Sequence, residues 1–65
     1  MTLIETDYDG VEEKKLYLLQ CERGIFLKES FYSPVHKEVG WVVSGANVGR
    51  WQSPKDCQEI YEVQP

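Results

Sequence analysis

The chain has a single histidine, His36, and only two cysteines, Cys21 and Cys57, which stand 36 positions apart. That separation matches no C-x-x-C pair and no zinc-ligand spacing, so neither a structural zinc site nor a paired redox motif is expected. Long apolar runs are missing too: none approaches the roughly 20 residues a membrane-crossing helix needs. The opening Met1-Thr2-Leu3-Ile4-Glu5 has no basic region ahead of an apolar core, and no export signal is read there. A basic stripe is also lacking, which argues against DNA or RNA as a direct ligand. Repeats and low-complexity stretches are absent. These absences leave a cytoplasmic chain with reduced thiols, no membrane segment and one domain spanning residues 1–65.

What is present suits one small core. With 42% hydrophobic residues, eight of its 65 side chains aromatic, the sequence is too apolar for disorder from end to end. It is also too short for more than one core. A compact chain of this length has a radius of gyration of about 11 Å. The net charge of −4 is unevenly placed. Residues 1–13 carry Glu5, Asp7, Asp9, Glu12 and Glu13 without a base, while from Lys14 onward the signs nearly balance. An acidic strand or tail over residues 1–13 suits a basic protein partner, or simply keeps a small domain soluble.

The local pattern predicts an α+β fold: a small antiparallel sheet of three or four strands with one short C-terminal helix. Leu16–Cys21 and Ile25–Tyr32 read as a hairpin around Glu22-Arg23-Gly24, because glycine takes the positive φ such a loop requires. The first run is apolar on both sides and suits a central strand. Pro34 ends the second. Val39–Ser44 reads as a third strand with Val39, Trp41 and Val43 on one face. Gly45–Gly49 reads as a turn, and Arg50-Trp51-Gln52 as a brief extended return. Ser53-Pro54-Lys55-Asp56 is a helix-start pattern, and Cys57, Ile60 and Tyr61 then fall at the spacing of one buried helical stripe. Thr2–Tyr8 reads as a strand turning at Asp9-Gly10, which would set Asp7 opposite Glu12; a mobile tail is the alternative. The expected core is Leu16, Leu18, Leu27, Trp41, Val43, Cys57 and Ile60.

Leu16-Tyr17-Leu18-Leu19, Gly24-Ile25-Phe26-Leu27-Lys28, and then Trp41, Trp51, Ser53 and Cys57 occur in an order that resembles short phage and prophage accessory proteins. In that group a Y-I-I-like strand precedes G-x-Y-L-x, a Trp, an aromatic ten positions later and a Ser-led helix. The spacings from Trp41 to Trp51 and from Trp51 to Cys57 match. Trp41-Val42-Val43-Ser44 replaces the group's W-T-x-D. The resemblance covers about three quarters of the chain and implies a phage-like accessory protein; it carries over no catalytic residue.

No other residue pattern assigns chemistry. His36 stands beside Lys37 and Glu38 with no Ser or Cys at a recognisable catalytic spacing, so an ordinary exposed histidine is favoured over a general base. Cys21 among Tyr17 and Leu19, and Cys57 near Ile60, read as small core hydrophobes. Gly45-x-x-x-Gly49 lacks the Lys-Ser/Thr pair of a phosphate loop. Asp7 and Asp9 lack the further oxygen donors of a calcium loop. Catalytic residues, cofactors and metal ligands are therefore all read as none. The binding candidates are the acids Glu5, Asp7 and Asp9, together with Tyr32, Arg50 and Trp51, the residue types that concentrate binding energy at interfaces. The favoured reading is a non-catalytic interaction module gripping a host protein through a basic surface on that partner. A nucleic-acid-mimicking inhibitor is a weaker form of that reading, a homodimeric regulatory or structural module is the alternative, and an enzyme comes third.

Overall fold

The computed structural model describes residues 1–45 and 48–65; the turn expected over 45–49 centres on Ala46 and Asn47, which lie outside the described residues. Seven strands make up the described chain: β1 (Thr2–Glu5), β2 (Leu16–Cys21), β3 (Gly24–Glu29), β4 (Phe31–Ser33), β5 (Glu38–Gly45), β6 (Val48–Gln52) and β7 (Cys57–Gln64). Two single 3-10 turns, Tyr8–Gly10 and Pro54–Asp56, are the only helical pieces among the described residues. One antiparallel sheet runs β1-β7-β2-β3 and a second runs β4-β5-β6. The α+β expectation is corrected: the protein is all-β.

The correction turns on residues 57–64. Ser53 does cap a turn, its Oγ accepting from the Lys55 amide at 3.3 Å with Pro54 at the first position. That turn stops after Asp56, and Cys57 is already extended. Leu19 lies opposite Ile60 and Gln20 opposite Glu59, but Cys21 lies opposite Cys57. One residue, Gln58, is therefore extra on β7. This β-bulge puts Cys57 and Ile60 on the same face although they are three apart, a spacing that otherwise signals a helix. An isolated helix of eight residues is marginal in water, whereas β7 gains a partner on both sides by sitting between β1 and β2.

The hairpin of β2 and β3 forms as expected, with Gly24 at φ +135° and the loop reduced to Glu22 and Arg23. The second half of that run departs from expectation. Ser30 interrupts it, so β3 ends in the first sheet and β4 begins the second. A strand that bends in this way turns the corner between two packed sheets. The bend is held in place: Ser30 is buried, its amide donates to the Lys15 carbonyl at 2.9 Å, and its Oγ donates to the carbonyl of Glu12. The N-terminal strand also differs. β1 ends at Glu5 and pairs with β7, so Asp7 has no strand partner and is not set against Glu12.

The core lies between the sheets. Tyr17, Leu19 and Cys21 of β2 and Ile60 of β7 face Trp41 and Val43 of β5, with Phe26, Val11 and Cys57 packed around them. The Tyr17 and Trp41 rings meet edge to face, 5.7 Å between centroids. Trp41, Val43, Cys57 and Ile60 match the expected core, but Leu16, Leu18 and Leu27 do not. Because side chains alternate along a strand, seating Tyr17 and Leu19 inward turns Leu16 and Leu18 outward. Leu27, paired with Leu18, follows them. Tyr17 is suited to the inner site because its ring packs on Trp41 while its hydroxyl accepts the Glu12 amide at 2.9 Å. The radius of gyration is 11.0 Å.

Candidate interaction surface

The outward face of the second sheet carries a side-chain cluster centred on Trp51, with Phe31 and Val42 beside it still 43% and 41% exposed. Trp51 of β6 lies across β5, and Gly40 is where the ring crosses. A Cβ at Gly40 would stand 2.7 Å from Trp51 Cζ2 and 2.8 Å from the Gln52 carbonyl oxygen. The His36 ring stacks on Trp51 at 4.8 Å with the planes 7° apart, and Phe31 meets it edge-on at 5.4 Å. Trp51 Nε1 donates to Glu38 Oε2 at 2.6 Å, and Ser53 Oγ donates to the other carboxylate oxygen at 3.2 Å. Both oxygens of Glu38 are thereby engaged.

This arrangement separates residues that the sequence grouped. Arg50 and Trp51 are neighbours on β6 and so point to opposite faces; Arg50 lies opposite Val43, Trp51 opposite Val42. Tyr32 lies opposite Val39, at the other end of β5 from Val43, and is 49% exposed. Tyr32, Arg50 and Trp51 do not form one patch. The acids Glu5 and Asp7 line a groove of about 210 Å³ with Glu59, but Lys55 lines it too. Asp9 shares a neighbouring depression with Lys37 and Lys55. Farther along, Glu12 is 3.3 Å from Lys15, whose ammonium is held above its ordinary pKa first by that hydrogen bond and then by the charges of Glu12 and Glu62. The acidic segment thus meets bases from elsewhere in the fold.

His36 does have a serine neighbour that sequence spacing did not point to. Its Nδ1 is 3.1 Å from Ser33 Oγ, and the same oxygen accepts the His36 amide at 3.2 Å. Ser33 is buried and closes a tight turn whose Lys37 amide bonds back to its carbonyl. The contact orients the ring onto Trp51. Cys21 and Cys57 are both free thiols, set opposite each other across β2 and β7. Burial, and then the nearby Cys21, push the Cys57 thiol up to about 11. Thiolate is scarce at neutral pH for such a group, which makes it a poor nucleophile.

The outward face of the first sheet is the surface the sequence did not bring out, although the two-sided apolarity of Leu16–Leu19 was its signal. Strand registers place the side chains in cross-strand rows. Leu3 and Val63 pair, and Leu16 follows them, with Glu29 closing the row on β3. In the next row Tyr61, Leu18 and Leu27 lie side by side, with Glu5 closing it on β1. In the third, Ile25 on β3 is followed by Gln20 and Glu59. The apolar residues therefore form a diagonal stripe from Leu3 to Ile25. Acids occupy the corners on either side: Glu29 on one, Glu5 and Glu59 on the other. Leu3 is 48% exposed, Leu27 53% and Ile25 69%, so the described residues leave them open to solvent. The Tyr61 hydroxyl donates to the Glu59 carboxylate, and this bond, ahead of burial, holds the phenol above its ordinary pKa.

Among the described residues no cluster of His, Cys, Asp and Glu is arranged to hold a metal ion, and no helix is long and apolar enough to cross a membrane. Compared with family models, curated proteins and solved structures, the chain finds no match in any of the three.

Proposed function

We propose that this chain is a small non-catalytic protein-interaction module of the cytoplasm, a phage-like accessory protein that binds a host protein with a basic surface and modulates it. The observation that carries the reading is the uncovered apolar stripe on the first sheet with acids on both sides. A soluble single domain seldom leaves a contiguous apolar surface of this kind without a use for it. The acids Glu5, Glu29 and Glu59 match a basic partner and steer its approach. Direct binding of nucleic acid is disfavoured by the same charges. A nucleic-acid mimic is the weaker form of the reading, since Lys37 and Lys55 interrupt the acidic array around Asp7 and Asp9.

Affinity capture from host lysate with the wild-type chain, Leu27→Glu and Arg50→Ala tests the proposal. A protein held by the wild type and by Arg50→Ala, but released by a still-folded Leu27→Glu, is the expected result. Capture unchanged by Leu27→Glu removes the stripe from the function.

A further inference from the structure

We infer that the stripe from Leu3 to Ile25 receives an amphipathic helix whose apolar face is bordered on both sides by Lys or Arg, an inference that rests on the interaction-module reading. The dimensions come first. With strands about 4.8 Å apart and a rise of about 3.3 Å per residue, the diagonal from Leu3 to Ile25 is about 19 Å long. That is the length of about 13 residues of helix, between three and four turns. The stripe is two side chains wide, comparable to the apolar face of one helix rather than that of a second sheet.

Charge then selects the occupant. The border acids lie at opposite corners, so a helix laid along the diagonal passes between Glu29 on one flank and Glu5 and Glu59 on the other. Bases on both flanks of its apolar face meet carboxylates on both sides. A second copy of this chain is a poor occupant. Its matching face offers Glu5, Glu29 and Glu59 and no base among the outward positions of β1, β2, β3 and β7, so two such faces bring like charges together. The face is also small: the four strands span about 14 Å, and two such faces bury less than the roughly 1,200 Å² at the low end of stable interfaces. An anionic lipid surface is repelled by the same carboxylates.

Three synthetic peptides of about 14 residues test this against the full-length chain. The first has a leucine face bordered by lysine, the second the same leucines bordered by glutamate, and the third the composition of the first in scrambled order. Binding is followed by calorimetry and by the methyl resonances of Ile25, Leu18 and Leu27. The lysine-bordered peptide is expected to bind about ten-fold more tightly than either of the others at low salt. It should shift those three methyls and lose much of its advantage as salt is raised. Glu5→Gln/Glu29→Gln/Glu59→Gln should narrow the gap between the lysine- and glutamate-bordered peptides without moving the thermal midpoint.

Equal binding of the three peptides overturns the inference, as does a shift pattern centred elsewhere. Concentration-dependent shifts of these methyls in the free protein give the face to a second copy, and shifts on adding phosphatidylcholine vesicles give it to a membrane; either overturns it. If Leu27→Glu releases a captured partner while the lysine-bordered peptide shows no preference, the helix fails and the interaction module stands. If Leu27→Glu still holds the captured partner, the stripe and with it the helix fail, and if the wild type captures no protein, the module reading itself fails.

Discussion

The outward faces of the two sheets handle the same material in opposite ways. On the second sheet, Trp51 and Phe31 are drawn together across a glycine, stacked by His36 and fastened through Glu38. The Trp51 ring is engaged within the fold, although Phe31 stays 43% exposed. On the first sheet, leucines, isoleucine and valine stand in rows in which Leu3, Leu16, Leu27 and Ile25 are exposed and Leu18 and Val63 half-buried. The difference teaches that aromatic content alone is a poor guide to a binding surface. Trp51 found partners for its ring and its N–H within the second sheet, while Leu3, Leu27 and Ile25, which have no polar atom to fasten, were left facing outward on the first.

The sharpest test of this contrast pairs Trp51→Ala with Leu27→Ser. Removing the indole should cost about 3 kcal/mol, because His36, Phe31 and Glu38 all lose their partner. Removing the leucine should change stability by no more than about 0.5 kcal/mol. Urea unfolding reads both. Similar costs for the two would mean that the first sheet's outer face is also part of what holds the fold.

Gly40→Ala follows in size, at about 1 to 3 kcal/mol, since the added methyl meets both the Trp51 ring and the Gln52 carbonyl. Combining it with Trp51→Ala should recover part of that loss, because the ring contact then disappears. A double-mutant cycle without coupling would place the clash on the backbone alone.

An effect confined to alkaline pH is expected at Cys57, between the sheets. Its folded-state pKa of about 11 lies above the ordinary 9.0. The protonated thiol is therefore favoured by folding. That contribution is fully present below pH 9 and is lost as the pH rises through 11. Cys57→Ala should flatten this alkaline decline relative to the wild type in thermal midpoints measured across that window. Parallel declines for the two proteins would mean that the thiol's burial carries no proton linkage.

Much of the fold was legible in the sequence, and what was not has definite physical causes. The β2–β3 hairpin followed from Gly24, and β5 from the alternation of Val39, Trp41 and Val43. β7 was hidden by its bulge at Gln58: one extra residue converts the period-two pattern of a strand into the i, i+3 spacing of a helix. The inward face of β2 was ambiguous because Leu16 and Leu18 are as apolar as Tyr17 and Leu19. Cys21 against Gln20 was the remaining hint. At the site level, the extended reading of Arg50–Gln52 already implied opposite faces for Arg50 and Trp51. The neighbours of Trp51 come from a distant strand and turn, which no local pattern announces. The open stripe needed the pairing of β1, β7, β2 and β3, and two of those three pairings, β1 with β7 and β7 with β2, are invisible to local sequence.

The placement of β7 has a consequence for the order in which the molecule can assemble. It is the last of the described strands in sequence, yet it lies inside the first sheet, between β1 and β2. The second sheet is built from consecutive strands and needs only short-range closure. It can form before β7 docks. The first sheet cannot, because β1 has no partner until β7 arrives. Until then Tyr17 and Leu19 lack Ile60, and the folding chain carries apolar side chains on both sides of β2. Pairing across nearly the whole length of the chain is the slow kind of contact to make. The time this domain spends vulnerable to misassembly is therefore set by the docking of the eight-residue β7 between β1 and β2.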